Sequence, residues 1–544
     1  MDVIRFYRRH SSPRTGTGRR KPSPMSSLPK STQRLYTLCI HLGIGASLWG
    51  YNVGILSSVL VHPGWRSALG DPAPSTTGLV TAAYYLGALA SYLVLSHPLA
   101  DHLGRRRAAM LGTAALCLGA ALMAAADGDA ALGAMLGGRL VCGAGVGVVS
   151  TVVPLYQSEV SPARERGKFV TMNHGGFIAG LAAGLWVGYG FTFWSSDAGR
   201  YWGWRVSILI QLVPAVVFIT GLPFLPDTPR WLIQKGRAES ASRVLHSLRQ
   251  DTTSPRLIAH ELRAICAAVE SRHLSGGGET SSSSPSLALF RDASLFARLW
   301  RPFLLQFMAQ MCGAAAIKYY LPTLLEALGL DYRLALMAGA VEMTAKIAMT
   351  VVEMWAIDRF GRRGCLSGGS VMMGVAMMIN GFLPLLYPRN ENKVSDAICI
   401  AFIFVYAMGY SLGLGPAAWV YSAEIFPTYV RARGLNFAAA GGSIGSILAS
   451  QIWPVGHARF GSGIYFFFMI VNFTCVPIIW FLYPETNGRA LEDMDSLFGK
   501  PDDGHAHAHV HLDGVAEDQD HAEDGHVQSG QDDEGADEHE PLLT

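Results

Sequence analysis

Charged side chains are scarce in this sequence. Asp, Glu, Lys and Arg make up 15% of the 544 residues, whereas hydrophobic residues make up 50%. A soluble chain of this composition would have to bury more apolar surface than one core can hold. The composition therefore excludes an ordinary soluble protein and indicates an integral membrane protein surrounded by the lipid bilayer.

Motifs of catalysis and of cofactor binding are also absent. The sequence has no Walker loop, no HExxH motif, no nucleophile–base set and no CxxC pair, and most of its eight cysteines lie in or beside apolar runs. Cysteines in such places behave as small hydrophobic residues. We therefore expect a protein that is not an enzyme, with no cofactor and no metal site.

Charge is unevenly placed at the two ends of the chain. Residues 1–34 carry nine Lys and Arg against one acid, whereas residues 501–544 carry fourteen Asp and Glu and no Lys or Arg. The net charge of +2 averages these two unlike tails, so it gives no reason to expect nucleic acid as a partner. The first 30 residues are polar and basic, and we expect no cleavable signal peptide.

Long apolar runs, in contrast, are abundant. A helix needs about 20 mostly apolar residues to cross a bilayer. Such runs are found near 36–60, 78–99, 107–126, 131–155, 169–193, 203–225, 301–327, 333–357, 365–387, 396–421, 434–456 and 463–483. We predict an all-α membrane protein of twelve transmembrane helices in two six-helix halves, with a further helix over 256–272 in the polar stretch between the halves.

Basic clusters predict the orientation of these helices. Arg105 to Arg107, Arg362 with Arg363, and Arg431 with Arg433 follow even-numbered spans. Cytosolic loops are enriched in Lys and Arg, so we expect both termini in the cytosol. The predicted organisation is a basic cytosolic tail (1–35), an N-terminal six-helix half (36–225), a cytosolic linker with short helices (226–300), a C-terminal six-helix half (301–483) and an acidic, His-rich cytosolic tail (484–544).

An internal repeat supports the division into halves. The motif Asp-x-x-Gly-Arg-Arg occurs at 101–106 and at 358–363, and Tyr-x-x-Glu-x-x-Pro-x-x-x-Arg occurs at 156–166 and at 421–431. One six-helix unit therefore appears twice, as expected of transporters whose substrate site lies between the repeats.

Further motifs resemble the sugar porters of the major facilitator superfamily. They run in order along residues 36–498: Gly50-Tyr51-Asn52-Val53-Gly54, Gly138-Arg139, Val153-Pro154-Leu155-Tyr156, Pro226-Asp227-Thr228-Pro229-Arg230-Trp231-Leu232, Tyr319-Tyr320, Gly415-Pro416-Ala417-Ala418-Trp419 and Pro484-Glu485-Thr486-Asn487-Gly488-Arg489. The resemblance implies the major facilitator fold and a secondary transporter that moves a sugar or related polyhydroxy solute by alternating access. A non-transporting sugar sensor with the same fold is the alternative.

The resemblance also implies a network of charges at the cytosolic ends of the helices, acting as a gate. The residues are Asp101, Arg105, Arg139, Glu159, Arg166, Asp358, Arg362, Glu424 and Arg431. Acids and bases there would pair when the helix ends close together. The other interpretation is that these charges only fix the topology.

One position bears on the coupling mode. Proton-coupled members of the family carry Asp where Asn52 stands, facing the Arg that matches Arg139. A carboxylate beside an Arg can gain and lose a proton, whereas an amide cannot. The resemblance therefore implies facilitative transport, with a proton-coupled symporter of a sugar acid, polyol or cyclitol as the alternative.

The substrate site is expected at mid-membrane. The candidate substrate-binding residues are Asn52, His174, Gln310, Lys346 and Trp419. His174 and Lys346 stand where the family has neutral amides, so the resemblance supports a sugar-like solute more strongly than a plain hexose. Charges inside a span are costly and usually functional. Lys346 either receives a carboxylate or hydroxyl of the solute or is neutralised by Glu342, four residues earlier; His174 either binds the solute or bonds to a backbone carbonyl.

The C-terminal tail carries two further patterns. Glu538, Leu542 and Leu543 form an acidic dileucine pattern that resembles sorting signals read by adaptor proteins, so we expect the plasma membrane or a vacuolar or endosomal membrane. Histidine alternates over 505–511, which we interpret as part of a solvated tail rather than as a metal site.

Overall fold

The computed structural model describes residues 29–162, 166–276, 290, 293–387, 392–426 and 430–486. In these residues every regular element is a helix. The tail signal at Glu538, Leu542 and Leu543 lies outside the described residues.

The first half is built from nine helices. They are α1 (Lys30–Val61), α2 (Pro63–Ala68), α3 (Pro74–Ala90), α4 (Ser96–Leu103), α5 (Arg105–Ala124), α6 (Ala131–Val160), α7 (Arg166–Phe191), α8 (Asp197–Leu209) and α9 (Leu212–Gly221). A π-helical turn, Ser91–Leu95, joins α3 to α4. The following linker contains α10 (Pro229–Gln234), α11 (Ala238–Arg249) and α12 (Pro255–Gly276), and α12 corresponds to the helix predicted over 256–272.

The second half contains seven described helices. They are α13 (Ala293–Met311), α14 (Ala314–Ala327), α15 (Tyr332–Leu386), α16 (Lys393–Leu412), α17 (Pro416–Ile425), α18 (Arg431–Phe460) and α19 (Gly463–Leu482). The range of α15 contains two helical parts, which correspond to the predicted spans over 333–357 and 365–387. They meet at Gly361, a residue with non-helical torsion angles (φ 76°, ψ 168°).

The membrane-spanning segments match the predicted twelve. In the described part of the chain, eight are long and apolar enough to cross a bilayer: Lys30–Val61, Pro74–Leu103, Arg105–Ala124, Gly128–Val160, Asp197–Phe224, Arg359–Leu386, Lys393–Ile425 and Gly463–Leu482. The four other predicted spans coincide with α7, α13 together with α14, the first part of α15, and α18. The twelve-helix prediction is confirmed.

The seventh span is broken between α13 and α14. Gly313 has a φ of 107°, and a helix cannot continue through that conformation. The break frees the carbonyl of Cys312, which accepts hydrogen bonds from Asn472 Nδ2 at 2.8 Å and from the Tyr406 hydroxyl at 3.1 Å. Side chains of α19 and α16 therefore hold the break in place, as is required where backbone polar groups face no water.

Glycines allow close helix contact where α6 packs on α3 and where α1 packs on α7. A Cβ atom on Gly143 would lie 1.9 Å from the Tyr84 carbonyl oxygen, and one on Gly50 would lie 1.9 Å from the Phe177 carbonyl oxygen. Small residues at such crossings are typical of membrane helices, which associate mainly by close packing.

The two halves belong to one compact unit. Hydrogen bonds join the two halves. The Thr81 and Tyr320 hydroxyls lie 3.2 Å apart. Trp186 Nε1 donates to Thr344 Oγ1 at 2.9 Å, and the Thr151 hydroxyl donates to Asn436 Oδ1 at 3.1 Å. A substrate path between the halves would therefore run among α3, α6, α7, α14, α15 and α18.

Candidate functional site

A buried ion pair joins α5 to α6. Arg105 donates from Nη2 to Glu159 Oε1 at 2.9 Å and from Nε to Oε2 at 3.0 Å, and these side chains are 6% and 4% exposed. Asp101 contacts the same guanidinium at 3.4 Å, and the Thr228 hydroxyl donates to Glu159 Oε2 at 2.6 Å. A bidentate pair with an extra donor is a strong contact with fixed geometry.

The second half repeats this arrangement. Arg362 donates from Nη2 to Glu424 Oε1 at 2.7 Å and from Nε to both carboxylate oxygens at 3.2 Å. The Thr486 hydroxyl donates to Glu424 Oε2 at 2.7 Å. The repeated sequence motifs thus form the same contact twice.

A second acidic side chain in each half accepts hydrogen bonds from backbone N–H groups. Glu485 accepts from the N–H of Arg362 at 3.0 Å and of Arg363 at 2.9 Å, directly after Gly361. Asp227 takes the equivalent position in the first half, where it accepts from the N–H of Arg106 at 3.4 Å. Both acids therefore satisfy free N–H groups at the start of a helical stretch.

The predicted gate residues are placed as follows. The described pairs, Arg105 with Glu159 and Arg362 with Glu424, lie within one half each. Arg431 donates to the Phe426 carbonyl oxygen at 3.2 Å. The side chains of Arg166 and Asp358 lie outside the described part of the chain. Closure of a gate between the halves by these charges stays a prediction.

Arg139 lies apart from these clusters, buried beside Asn52. Arg139 Nη1 donates to Asn52 Oδ1 at 2.8 Å, and Nε donates to the Val80 carbonyl oxygen at 3.4 Å. The guanidinium carbon lies 4.5 Å from the centre of the Tyr84 ring. Asn52 Nδ2 in turn donates to Gln211 Oε1 at 3.0 Å. Both Arg139 and Asn52 are 1% exposed.

The direct partners of the Arg139 guanidinium are thus neutral groups. Among the described residues no Asp or Glu forms an ion pair with Arg139; its hydrogen bonds go to an amide oxygen and a backbone carbonyl, and its cation–π contact is with an aromatic face. Such partners stabilise a buried cation through dipoles and a cation–π contact. None of these groups exchanges a proton near neutral pH.

Lys346 forms an ion pair with Glu342, one turn earlier on α15. Lys346 Nζ lies 3.3 Å from Glu342 Oε1, and the two side chains are 19% and 4% exposed. By hydrogen-bond geometry, neither carboxylate oxygen of Glu342 accepts a bond from a described residue. The contact is therefore electrostatic, without the aligned hydrogen bonds of the Arg105–Glu159 pair.

Two further basic side chains, from α7 and α14, lie near Lys346. His174 on α7 and Lys318 on α14 are within electrostatic range of Lys346, and we call these three residues the basic cluster. The Lys346 ammonium lies 5.7 Å from the centre of the Tyr410 ring, and the Tyr410 hydroxyl lies near the Gln310 side chain. The structure therefore brings His174, Gln310 and Lys346 together between the halves.

Trp419 lies on the first turn of α17 and is 39% exposed. It forms no hydrogen bond or ring contact with His174, Gln310 or Lys346 in the described structure. Asn52, the remaining candidate, contacts Arg139 and Gln211 rather than the basic cluster. Whether each of the five candidates touches substrate stays a prediction.

Sequence reasoning missed several residues of these sites. The residues are Asp227, Thr228, Tyr410, Glu485 and Thr486; Glu353 lies near the basic cluster without contacting its members in the described structure. A repeated Pro-acid-Thr triplet at 226–228 and 484–486 signals four of them. Glu353 is 3% exposed and lies seven residues after Lys346 on the same helix, a spacing that places both on one face. Gln211 also belongs to the Arg139 site, because its amide oxygen accepts the hydrogen bond from Asn52.

Comparison with known proteins agrees with this architecture. A family model described as "Sugar (and other) transporter" matches residues 38–498. The "Probable quinate permease" of Neosartorya fischeri is 29% identical, over 86% of this chain and 87% of that protein. The "MFS-type transporter criB" of Aspergillus cristatus is 30% identical, over 84% and 91%.

Solved structures share the fold. The proton:xylose symporter XylE bound to 6-bromo-6-deoxy-D-glucose has a TM-score of 0.70 and 22% identity, and the match covers 86% of this chain and 99% of that one. The inward-open form of the xylose transporter XylE from E. coli has a TM-score of 0.69 and 20% identity, covering 86% and 100%. This chain belongs to the sugar porter family of the major facilitator superfamily, a family of transporters rather than a class of enzymes, and is a multi-pass membrane transporter of sugar-like solutes.

Proposed function

We propose that the protein is a facilitative carrier for neutral polyhydroxy solutes, which it moves down their gradient by alternating access. The observation that carries this proposal is the contact of Arg139 with Asn52 at 2.8 Å. An amide does not titrate, so no proton binds or leaves beside Arg139 as the site faces each side of the membrane. Transport of a neutral solute then needs no ion gradient.

The solute site lies between the halves, near Gln310 and the basic cluster. The amide of Gln310 and the hydroxyl of Tyr410 can bond vicinal hydroxyl groups, because each both donates and accepts. Gln310 Oε1 is buried without a hydrogen-bond partner among the described residues, so it is available as an acceptor. A few converging polar groups of this kind fix the orientation of a small ligand.

A carboxylate on the solute fits the same place. Lys318 and Lys346 create a positive field in a region of low dielectric, which attracts an anion, and His174 can add a hydrogen bond to it. Several relatives are called quinate permeases, and quinate is a polyhydroxy ring that bears a carboxylate. We include such cyclitol and sugar acids in the solute class.

Uptake into proteoliposomes tests the proposal. The purified full chain is reconstituted and offered hexoses, pentoses, inositol and quinate, with and without a pH gradient. We expect saturable uptake of at least one neutral member to the outside concentration and no further. Concentrative uptake of a neutral member, or no uptake of any member above that of empty liposomes, contradicts the proposal.

The orientation and the membrane are further parts of the proposal. Basic residues near Arg105 and Arg362 support cytosolic termini. The pattern of Glu538, Leu542 and Leu543 supports adaptor-mediated delivery to a vacuolar or endosomal membrane instead of the plasma membrane. Fluorescence microscopy of the tagged chain tests this: L542A/L543A should move the protein to the plasma membrane, and an unchanged location argues against the signal.

A further inference from the structure

Among the described residues, Lys346 alone forms an ion pair with the buried carboxylate of Glu342. Its side chain is 4% exposed, its oxygens accept no hydrogen bond from the described residues, and Lys346 Nζ at 3.3 Å is its ion-pair partner. An ionised carboxylate in such a place is stable only while its counter-charge stays. If Lys346 turns to another anion, Glu342 must leave the low-dielectric site or take up a proton.

Lys346 is able to turn, because its side chain is more accessible than that of Glu342. It is 19% exposed against 4%, and its ammonium also lies 5.7 Å from the centre of the Tyr410 ring. The groups that face the pair from other helices are His174 on α7, Lys318 on α14 and Tyr410 on α16. All of these favour an incoming anion or are neutral.

Glu353, the other acid near Lys346 on α15, is held differently. It is 3% exposed and is within electrostatic range of Lys346, but the Ser411 hydroxyl also lies near enough to act as its donor. A donor that stays with its carboxylate lessens the dependence on Lys346. The response to an incoming anion therefore belongs to Glu342 and not to Glu353.

We propose that the carboxylate of an acidic solute replaces Glu342 as the partner of Lys346, and that Glu342 then takes one proton from water on the side of entry. The site occluded with solute holds one more negative charge and one more proton than the empty site, so solute and proton cross together without net charge transfer. On release, Lys346 returns to Glu342, and the proton leaves to water on the other side.

A neutral solute leaves the Glu342–Lys346 pair intact and crosses alone. The same carrier is then a uniporter for polyols and a proton symporter for acids. The inference rests on the proposed function, in which the solute passes between the halves beside Lys346.

The test uses the full chain in proteoliposomes with two probes of similar shape, quinate and inositol. Under an inwardly directed gradient of one pH unit, an electroneutral acid–proton symporter accumulates quinate about tenfold, whereas inositol only equilibrates. Proton entry measured with an internal pH dye should follow quinate and not inositol. Equal behaviour of the two probes overturns the inference, even without a variant.

The variant E342Q separates proton binding by residue 342 from binding of the acidic solute by Lys346. Quinate should still enter downhill, but the pH gradient should no longer concentrate it, and a potassium–valinomycin potential should now affect its uptake because the anion crosses alone. E353Q is the matched control on the same helix and should keep proton coupling. Coupling that survives in E342Q, or is lost in E353Q alone, overturns the assignment to Glu342.

Failure of this inference and failure of the proposed function give different results. If inositol equilibrates and quinate shows no pH-driven accumulation, the carrier function stands and the exchange at Lys346 is wrong. If neither probe nor any hexose or pentose is transported, the proposed function fails and the inference fails with it.

Discussion

Arg139 on α6 donates a hydrogen bond to Asn52 on α1 at 2.8 Å, and both side chains are 1% exposed. A buried guanidinium therefore relies on an amide where a carboxylate would give full charge compensation. The other contacts of Arg139, with the Val80 carbonyl and the Tyr84 ring, are neutral as well.

The substitution N52D should convert the carrier to a proton symporter for neutral solutes. A carboxylate beside Arg139 can bind and release a proton as the site changes its exposure. Uptake of inositol into proteoliposomes should then exceed equilibrium under an inward proton gradient. N52S, which offers no titratable group, is the control and should stay uncoupled; an N52D protein that only equilibrates inositol argues against this role of position 52.

The buried pair of Arg105 and Glu159 should contribute to stability as a unit. E159A leaves Arg105 buried without its main counter-charge, which should cost about 3–5 kcal/mol and lower the thermal midpoint in detergent. Transport should fall as well, because α5 and α6 lose their fixed contact.

A double-mutant cycle checks this account. R105A/E159A should recover part of the thermal midpoint lost in E159A, since no buried charge is left alone. If the losses of the two single variants simply add, the residues act independently and the pair has no structural coupling.

The break in the seventh span should depend on glycine at position 313. Its φ of 107° disfavours any side chain, and a Cβ there would lie 3.1 Å from Met377 Cε. We expect G313A to lose about 1–3 kcal/mol of stability. G368A is the matched control: nothing lies within 4 Å of its added Cβ, so the thermal midpoint should hold or rise slightly. Equal shifts in both variants would argue against strain at Gly313.

Lys346 should select for acidic solutes. K346N removes the ammonium that receives a carboxylate. The apparent affinity for quinate relative to inositol should therefore fall about tenfold or more in an uptake competition assay. The variant E342Q/K346N, which leaves no lone buried carboxylate, separates loss of selection from loss of folding. An unchanged ranking in both variants means that Lys346 is scaffold and that solute choice rests elsewhere.

Much of the fold follows from the sequence. Twelve apolar runs of spanning length place all twelve segments, because the bilayer requires continuous apolar helices. The predicted separation of the spans over 333–357 and 365–387 agrees with the structure, because the non-helical torsion angles of Gly361 divide α15 between them. Helix ends also differ from the predicted bounds by several residues, because polar residues extend helices beyond the apolar core.

The candidate sites were predictable only in part. The contact of Glu342 with Lys346 follows from their i, i+4 spacing, and the resemblance to the sugar porters pointed to Asn52 and Arg139. The bond between Asn52 and Gln211 joins residues 159 positions apart, and the approach of His174 to Lys346 joins the two halves. Such contacts depend on how the helices pack, which periodicity along one helix does not contain.

The most direct test of the central claim is the steady-state ratio of inside to outside inositol for the reconstituted wild-type protein under an inward gradient of one pH unit. Facilitative transport with Asn52 beside Arg139 predicts a ratio of about 1, reached faster than in empty liposomes. A proton symporter for neutral solutes would give a ratio near 10, about one factor of ten per pH unit, and that result would contradict the account.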